Sequence, residues 1–91
     1  VMLGLNAVAY GGIDLVDGQV QQSNFHDVRA LRFNQMPAVE VHIMQSDAPP
    51  TGVGEQATTP IAPAVANALF HATGKRIRQF PLDRHGFILK A

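Results

Sequence analysis

The sequence contains no cysteine and no tryptophan, and its charges cancel, with 7 Lys and Arg against 7 Asp and Glu. Without cysteine the chain can build no disulfide, iron–sulfur or zinc-thiolate site of its own. A balanced charge lacks the basic excess of a nucleic-acid-binding surface. The positive charges gather late, at Lys75, Arg76, Arg78 and Arg84, a cluster that a solvated helix end explains. Long apolar runs are missing too. Apolar residues make up 46% of the chain, yet none forms the roughly 20-residue stretch that spans a bilayer. The opening Val1-Met2-Leu3-Gly4-Leu5 has neither a basic leader nor a long apolar core, so it does not read as a signal peptide. The expectation at this end is an internal cut: a processed chain, a subunit made by cleavage or a partial sequence.

What is present suits one small domain of 91 residues. A domain of that size buries a modest fraction of its surface and is marginal alone. The first ten residues read as the tail of a helix, with Leu3, Ala7 and Tyr10 at helical spacing and Gly11-Gly12 ending it. Ile13–Val16 and Gln19–Gln22 flank Asp17-Gly18, a two-residue hairpin signal. Residues 23–38 read as irregular. Val39, Val41 and Ile43 then alternate with Glu40, His42 and Met44, which predicts a central strand. Gln45 to Thr59 is a loop of about fifteen residues kept irregular by Pro49, Pro50, Gly52 and Gly54. A loop that long in a small domain is usually functional or disordered. A helix over about 60–73 follows, with Thr59 as predicted N-cap and Pro60 at the first helical position. Its predicted apolar stripe is Ile61, Val65, Ala68, Leu69 and Ala72, and Gly74 is the left-handed stop. Arg76–Phe80 reads as a returning strand, and Gly86–Leu89 as a last short one. The fold class is therefore α+β.

The informative segment is Pro50-Thr51-Gly52-Val53-Gly54-Glu55, ahead of the helix. Gly52 and Gly54 remove side chains and allow unusual φ, so backbone N–H groups can face a bulky ligand at close range. Glu55 lies between that bend and a helix start, whose partial positive charge favours an anion. The same spacing fits a carboxylate that merely caps or faces the helix. Spacing alone leaves both readings open.

The run Thr51-Gly52-Val53-Gly54-Glu55-Gln56-Ala57-Thr58-Thr59-Pro60-Ile61-Ala62-Pro63-Ala64-Val65-Ala66-Asn67-Ala68, continuing through Thr73–Arg78 and Pro81-Leu82, resembles the end of the xanthine dehydrogenase and aldehyde oxidase family. Val20–Asp27 and Pro37–Ile43 resemble the same family, in its branch of the isoquinoline 1-oxidoreductase beta-subunit type. The resemblance spans roughly residues 3 to 82. It implies that the whole of 1–91 is a C-terminal fragment of a molybdopterin-binding domain. It implies that Glu55 is the general base beside the molybdenum, and that Gly52, Val53 and Gly54 run against the molybdopterin cofactor. The implied reaction hydroxylates an aromatic N-heterocycle or oxidises an aldehyde, with water as the oxygen source. The implied partners are the remainder of the large subunit and a small subunit carrying iron–sulfur clusters. A bacterial cytoplasm or periplasm would suit such an enzyme. Two positions depart from the family pattern. Gln56 stands where Pro or Leu often follows the Glu, and Val28 stands where a Tyr usually completes the Asn-Phe-x-Asp motif.

Other residues read as structural. His26, His42, His71 and His85 share no metal-ligand spacing, so no metal site is expected from side chains of this chain. Asn24 and Phe25 read as turn and packing residues, and Asn67 as a partner for a neighbouring loop. Arg76 and Arg78 read as exposed charges, with contact to a cofactor phosphate as the alternative. Two rival readings of the whole are a noncatalytic piece that completes another chain's fold and a free-standing α+β binding module.

Overall fold

The computed structural model describes residues 1–90. Helix α1 runs Met2–Tyr10 and closes on Gly11, whose N–H donates to the Ala7 carbonyl at 2.9 Å. The predicted hairpin forms as β1, Leu15–Val16, and β2, Gln19–Val20, antiparallel with Leu15 opposite Val20. Asp17 (φ 50°) and Gly18 (φ 78°) take the positive φ values that a tight hairpin turn requires. The strands are shorter than the sequence suggests: beyond them the pairing continues by one backbone bond, from the Gln21 N–H to the Asp14 carbonyl at 2.9 Å, and then through the Gln22 side chain. Asp14 N–H donates to Gln22 Oε1 at 2.8 Å, and Gln22 Nε2 returns a bond to Asp14 Oδ2 at 2.9 Å.

Helix α2, Ile61–Thr73, ends at Gly74 with φ 72°, the left-handed stop that the sequence marks. Its start differs from expectation. Pro60 is the N-cap, in a helical conformation, and no side chain caps the helix, so Thr59 does not play that role. Helix ends are ambiguous by a residue or two, but the absent capping bond is a real difference. The buried face also differs. Ala66 is buried while Ile61, Ala62, Val65 and Leu69 are partly covered, whereas Ala68 and Ala72 are exposed. The face that turns inward is set by α1 and the returning chain, and an alanine-rich helix offers several equivalent faces.

Three predicted strands are absent. Residues 39–44 form neither helix nor strand, and residues 76–80 are irregular. Gly86–Leu89 likewise forms no strand. A strand exists only through its hydrogen-bonded neighbour. The alternation at 39–43 finds none among the described residues. At 76–80, Ile77 is buried in the core instead, and Arg76 stacks over the Phe70 ring at 3.5 Å from its centroid.

The core lies where α1, α2 and a 3₁₀ turn at Leu82–His85 meet. Val8, Ala66, Ile77 and Leu82 form its buried cluster, with Phe87 packed against it. Gly4 lets α1 approach closely: a Cβ there would lie 2.6 Å from Ile61 Cγ2 and 3.1 Å from the Thr58 carbonyl oxygen. Polar ties fasten the irregular segments to this frame. Asn6 Oδ1 accepts the Leu31 N–H at 2.7 Å. Gln35 donates to both the Tyr10 hydroxyl (3.2 Å) and the Leu89 carbonyl (2.8 Å). Arg84 reaches the Asp14 carboxylate at 2.5 Å and so joins the Leu82–His85 turn to the hairpin. The Cα radius of gyration is 15.9 Å, against roughly 12 Å expected of a compact domain this long. Much of the chain thus extends beyond its small core.

Candidate functional site

The loop approaching α2 passes Gly52, Val53 and Gly54 and turns at Glu55–Pro60. The turn is held by its own backbone: the Thr58 N–H donates to the Glu55 carbonyl at 2.9 Å. The Gln56 side-chain amide donates to the Gly52 carbonyl, which bends the preceding residues back on the turn. Gln56, the departure from the family pattern, therefore has a local structural job. Gly52, Gly54, Glu55 and Gln56 line a cleft of about 250 Å³. All four are exposed, and Val53 is 87% exposed. A Cβ added at Gly52 or Gly54 would meet nothing within 4 Å, and neither residue takes a positive φ. The expectation that these glycines adopt unusual φ is corrected here. What remains of their role is open space along the backbone.

Glu55 lies in the same small cleft as Gly52 and Gly54. Its relation to the helix is looser than expected. The first turn of α2 contains no acidic residue, and six positions separate Glu55 from Ile61. A helix dipole acts mainly on its first turn, so α2 does little to hold this carboxylate. None of the three ion pairs among the described residues involves Glu55. The loop is anchored where it matters, since Thr58 and Ile61 press against Gly4 of α1.

The Asn24-Phe25-x-Asp27 segment is a self-contained turn. Asp27 accepts bonds from the Ser23 N–H (2.8 Å), the Ser23 hydroxyl (3.1 Å) and the Asn24 N–H (2.9 Å). The Asn24 and Ser23 backbone bonds hold the Asp27 carboxyl below its usual range. Asn24 Oδ1 accepts the Phe25 N–H at 2.8 Å, so its turn role is observed, but Phe25 is exposed and packs on nothing nearby. The Asp14 carboxyl is lowered by its bond to Gln22 first and by Arg84 second.

A second concave surface was not legible in the sequence. Lys75, Arg76, Arg78 and His85 line a cleft of about 390 Å³ with Ile77 and Phe87. His85 joins because the Leu82–His85 turn folds back, a contact with no linear signal. Arg84, grouped with these charges by position, leaves them for Asp14. Asn67 Oδ1 accepts a bond from Arg76 at 3.2 Å, the neighbouring-loop contact expected of it. Among the described residues no three His, Asp or Glu side chains cluster so as to hold a metal ion. No described helix is long and apolar enough to cross a membrane.

Comparison with known proteins bears on this loop. The chain is 33% identical over 82 residues to the beta subunit of isoquinoline 1-oxidoreductase from Brevundimonas diminuta, covering 90% of this chain and 10% of that protein. It is 33% identical over 79 residues to the membrane-bound aldehyde dehydrogenase (pyrroloquinoline-quinone) of Gluconacetobacter polyoxogenes, covering 87% and 10%. A nicotinate dehydrogenase subunit of Pseudomonas putida is 45% identical over 53 residues, covering 57% and 4%. No family model matches, and no solved structure does. All three relatives are oxidoreductases by name, and two are named as subunits. These relatives match the molybdenum-hydroxylase large-subunit family, and the chain is similar to the first two of them over most of its own length. It spans about a tenth of the length of the first two relatives.

Proposed function

We propose that this chain is a C-terminal portion of the molybdopterin-binding domain of a molybdenum hydroxylase, and that Glu55 is its general base. The reaction adds one water oxygen to the carbon of an aromatic N-heterocycle or an aldehyde. Two protons and two electrons leave, so the sum balances. The observation that supports this most directly is the resemblance of Thr51–Ala68, combined with an open cleft in which that run presents a single carboxylate.

The residues present fit a flat, bulky cofactor. A Cβ at Gly52 or Gly54 would meet nothing within 4 Å, so this stretch of backbone would be open to such a group. In this reading the metal is held by the cofactor and by polypeptide outside this chain. Molybdopterin-bound molybdenum, when present, supplies the two-electron oxidation, and the protein supplies orientation and proton handling. A Glu55 carboxylate oxygen takes the proton released as the water-derived oxygen is added to substrate carbon. The Glu55 carbonyl is already engaged by the Thr58 N–H, and the residue itself is exposed. The partners in this reading are the rest of the large subunit and a small subunit with iron–sulfur clusters.

The test is Glu55→Gln in the complete enzyme, with molybdenum content measured alongside turnover. A positioned general base contributes ~10²–10⁴ in rate. Because this base also generates the nucleophile, the expected loss is at the upper end or beyond, with metal loading unchanged. Near-normal turnover at full loading refutes the assignment. One relative carries pyrroloquinoline quinone in its name, so a quinone assay on the same preparation checks the cofactor directly.

A further inference from the structure

The Val39–Met44 segment carries the plainest period-2 pattern in the chain and has no partner to justify it. Val39, Val41 and Ile43 would share one face of a strand, and Glu40 and His42 the other. Val41 is 76% exposed and Ile43 84%. No backbone N–H or carbonyl from 38 to 45 forms a hydrogen bond among the described residues. The pattern has defined ends. Pro37, which has no N–H, precedes it, and Ala48 N–H bonds the Ser46 hydroxyl at 3.1 Å beyond it. At its near end, Met2, Phe33, Met36, Pro37, Ala38 and Val39 line an open apolar hollow of about 400 Å³. Glu40 and His42 pair with each other at 3.7 Å, both largely in solvent, as befits an outward face.

We infer that residues 38–45 are a docking strand that adds to the edge of a sheet in the remainder of the large subunit. This rests on the proposal that the chain is part of such a subunit. Three observations fix the occupant. The matched region passes through this segment yet amounts to about a tenth of the first relative's length, so that relative has ample further polypeptide. The alternation selects a sheet edge, because on a helix Val39, Val41 and Ile43 would point in divergent directions. The apolar hollow at Phe33 and Met36 continues the same surface, so the receiving sheet carries an apolar face that covers both. Main-chain bonds hold such a strand, and alternate side chains select its register.

The test is hydrogen–deuterium exchange of the 38–45 amides in the assembled large subunit and in the isolated 91-residue chain. The expected result is exchange at least about a hundredfold slower in the assembled subunit, as for strands that open only with the core. Fast exchange in both overturns the inference. Slow exchange in the isolated chain, with a dimer seen by sedimentation, also overturns it and assigns the strand to a second copy. As a face-specific check, V41K/I43K should abolish assembly with the rest of the subunit, whereas E40K/H42K should leave it intact. Equal loss from both pairs overturns the inference. Molybdenum content of the assembled protein reports the functional reading separately. Protection without molybdenum keeps the docking strand and removes the cofactor, and molybdenum without protection does the reverse.

Discussion

Replacing Gly4 by alanine tests how closely the α1 frame grips the loop that carries Glu55. Gly4 lies inside α1 and is buried. In an ordinary helix interior, Gly→Ala gains ~0.8–1 kcal/mol from propensity. Here the new methyl would lie 2.6 Å from Ile61 Cγ2, 3.1 Å from the Thr58 carbonyl oxygen and 3.2 Å from Thr58 Cα. Ile61 has rotamer freedom at the edge of the core, but the Thr58 backbone is bonded to Glu55 and cannot yield alone. Overpacking of this kind costs ~1–3 kcal/mol. The two effects leave a net loss of about 1 kcal/mol, or roughly 4–8 °C in Tm for a domain this size. Thermal and urea melts of Gly4→Ala, beside the exposed control Leu3→Ala, measure it. In a double-mutant cycle Ile61→Ala should recover part of the loss and not all of it, because the Thr58 contact persists. If Gly4→Ala raises Tm by the full propensity gain, α1 does not press on Thr58 and the reasoning fails.

Leu82→Ala should cost ~2–5 kcal/mol, because Leu82 is 2% exposed at the centre of the core; a urea midpoint unchanged from wild type would place that core elsewhere. Gly74→Ala should cost about 1 kcal/mol, since φ 72° is a left-handed conformation that alanine resists, and a melt reads this with no crowding to confuse it. The lowered Asp27 carboxyl should stabilise the 23–28 turn fully above the ordinary carboxylate range, with that contribution fading as pH falls through the lowered value. Asp27→Asn should flatten that acid limb of the stability curve, which a pH series of melts checks. The purified 91-residue chain should bind no molybdenum and show no turnover by itself, a point that metal analysis decides directly.

The residues of the chain determined a good deal unaided. Asp17-Gly18 specified the hairpin turn and Gly74 the end of α2, because positive φ is a local property of those residues. The Thr51–Pro60 run marked the loop and its carboxylate for the same reason: the signal lies in consecutive residues. Tertiary packing decided what local chemistry leaves degenerate. It chose Ala66 over Ala68 and Ala72 as the buried side of α2, since alanines differ little until a neighbour arrives. It drew His85 toward Lys75 and Arg78, and Arg84 away to Asp14, contacts that span up to 70 positions in sequence. It also withheld the strand at 39–43, because alternation encodes a face to be covered, while the hydrogen bonds that make a strand belong to whatever lies beside it.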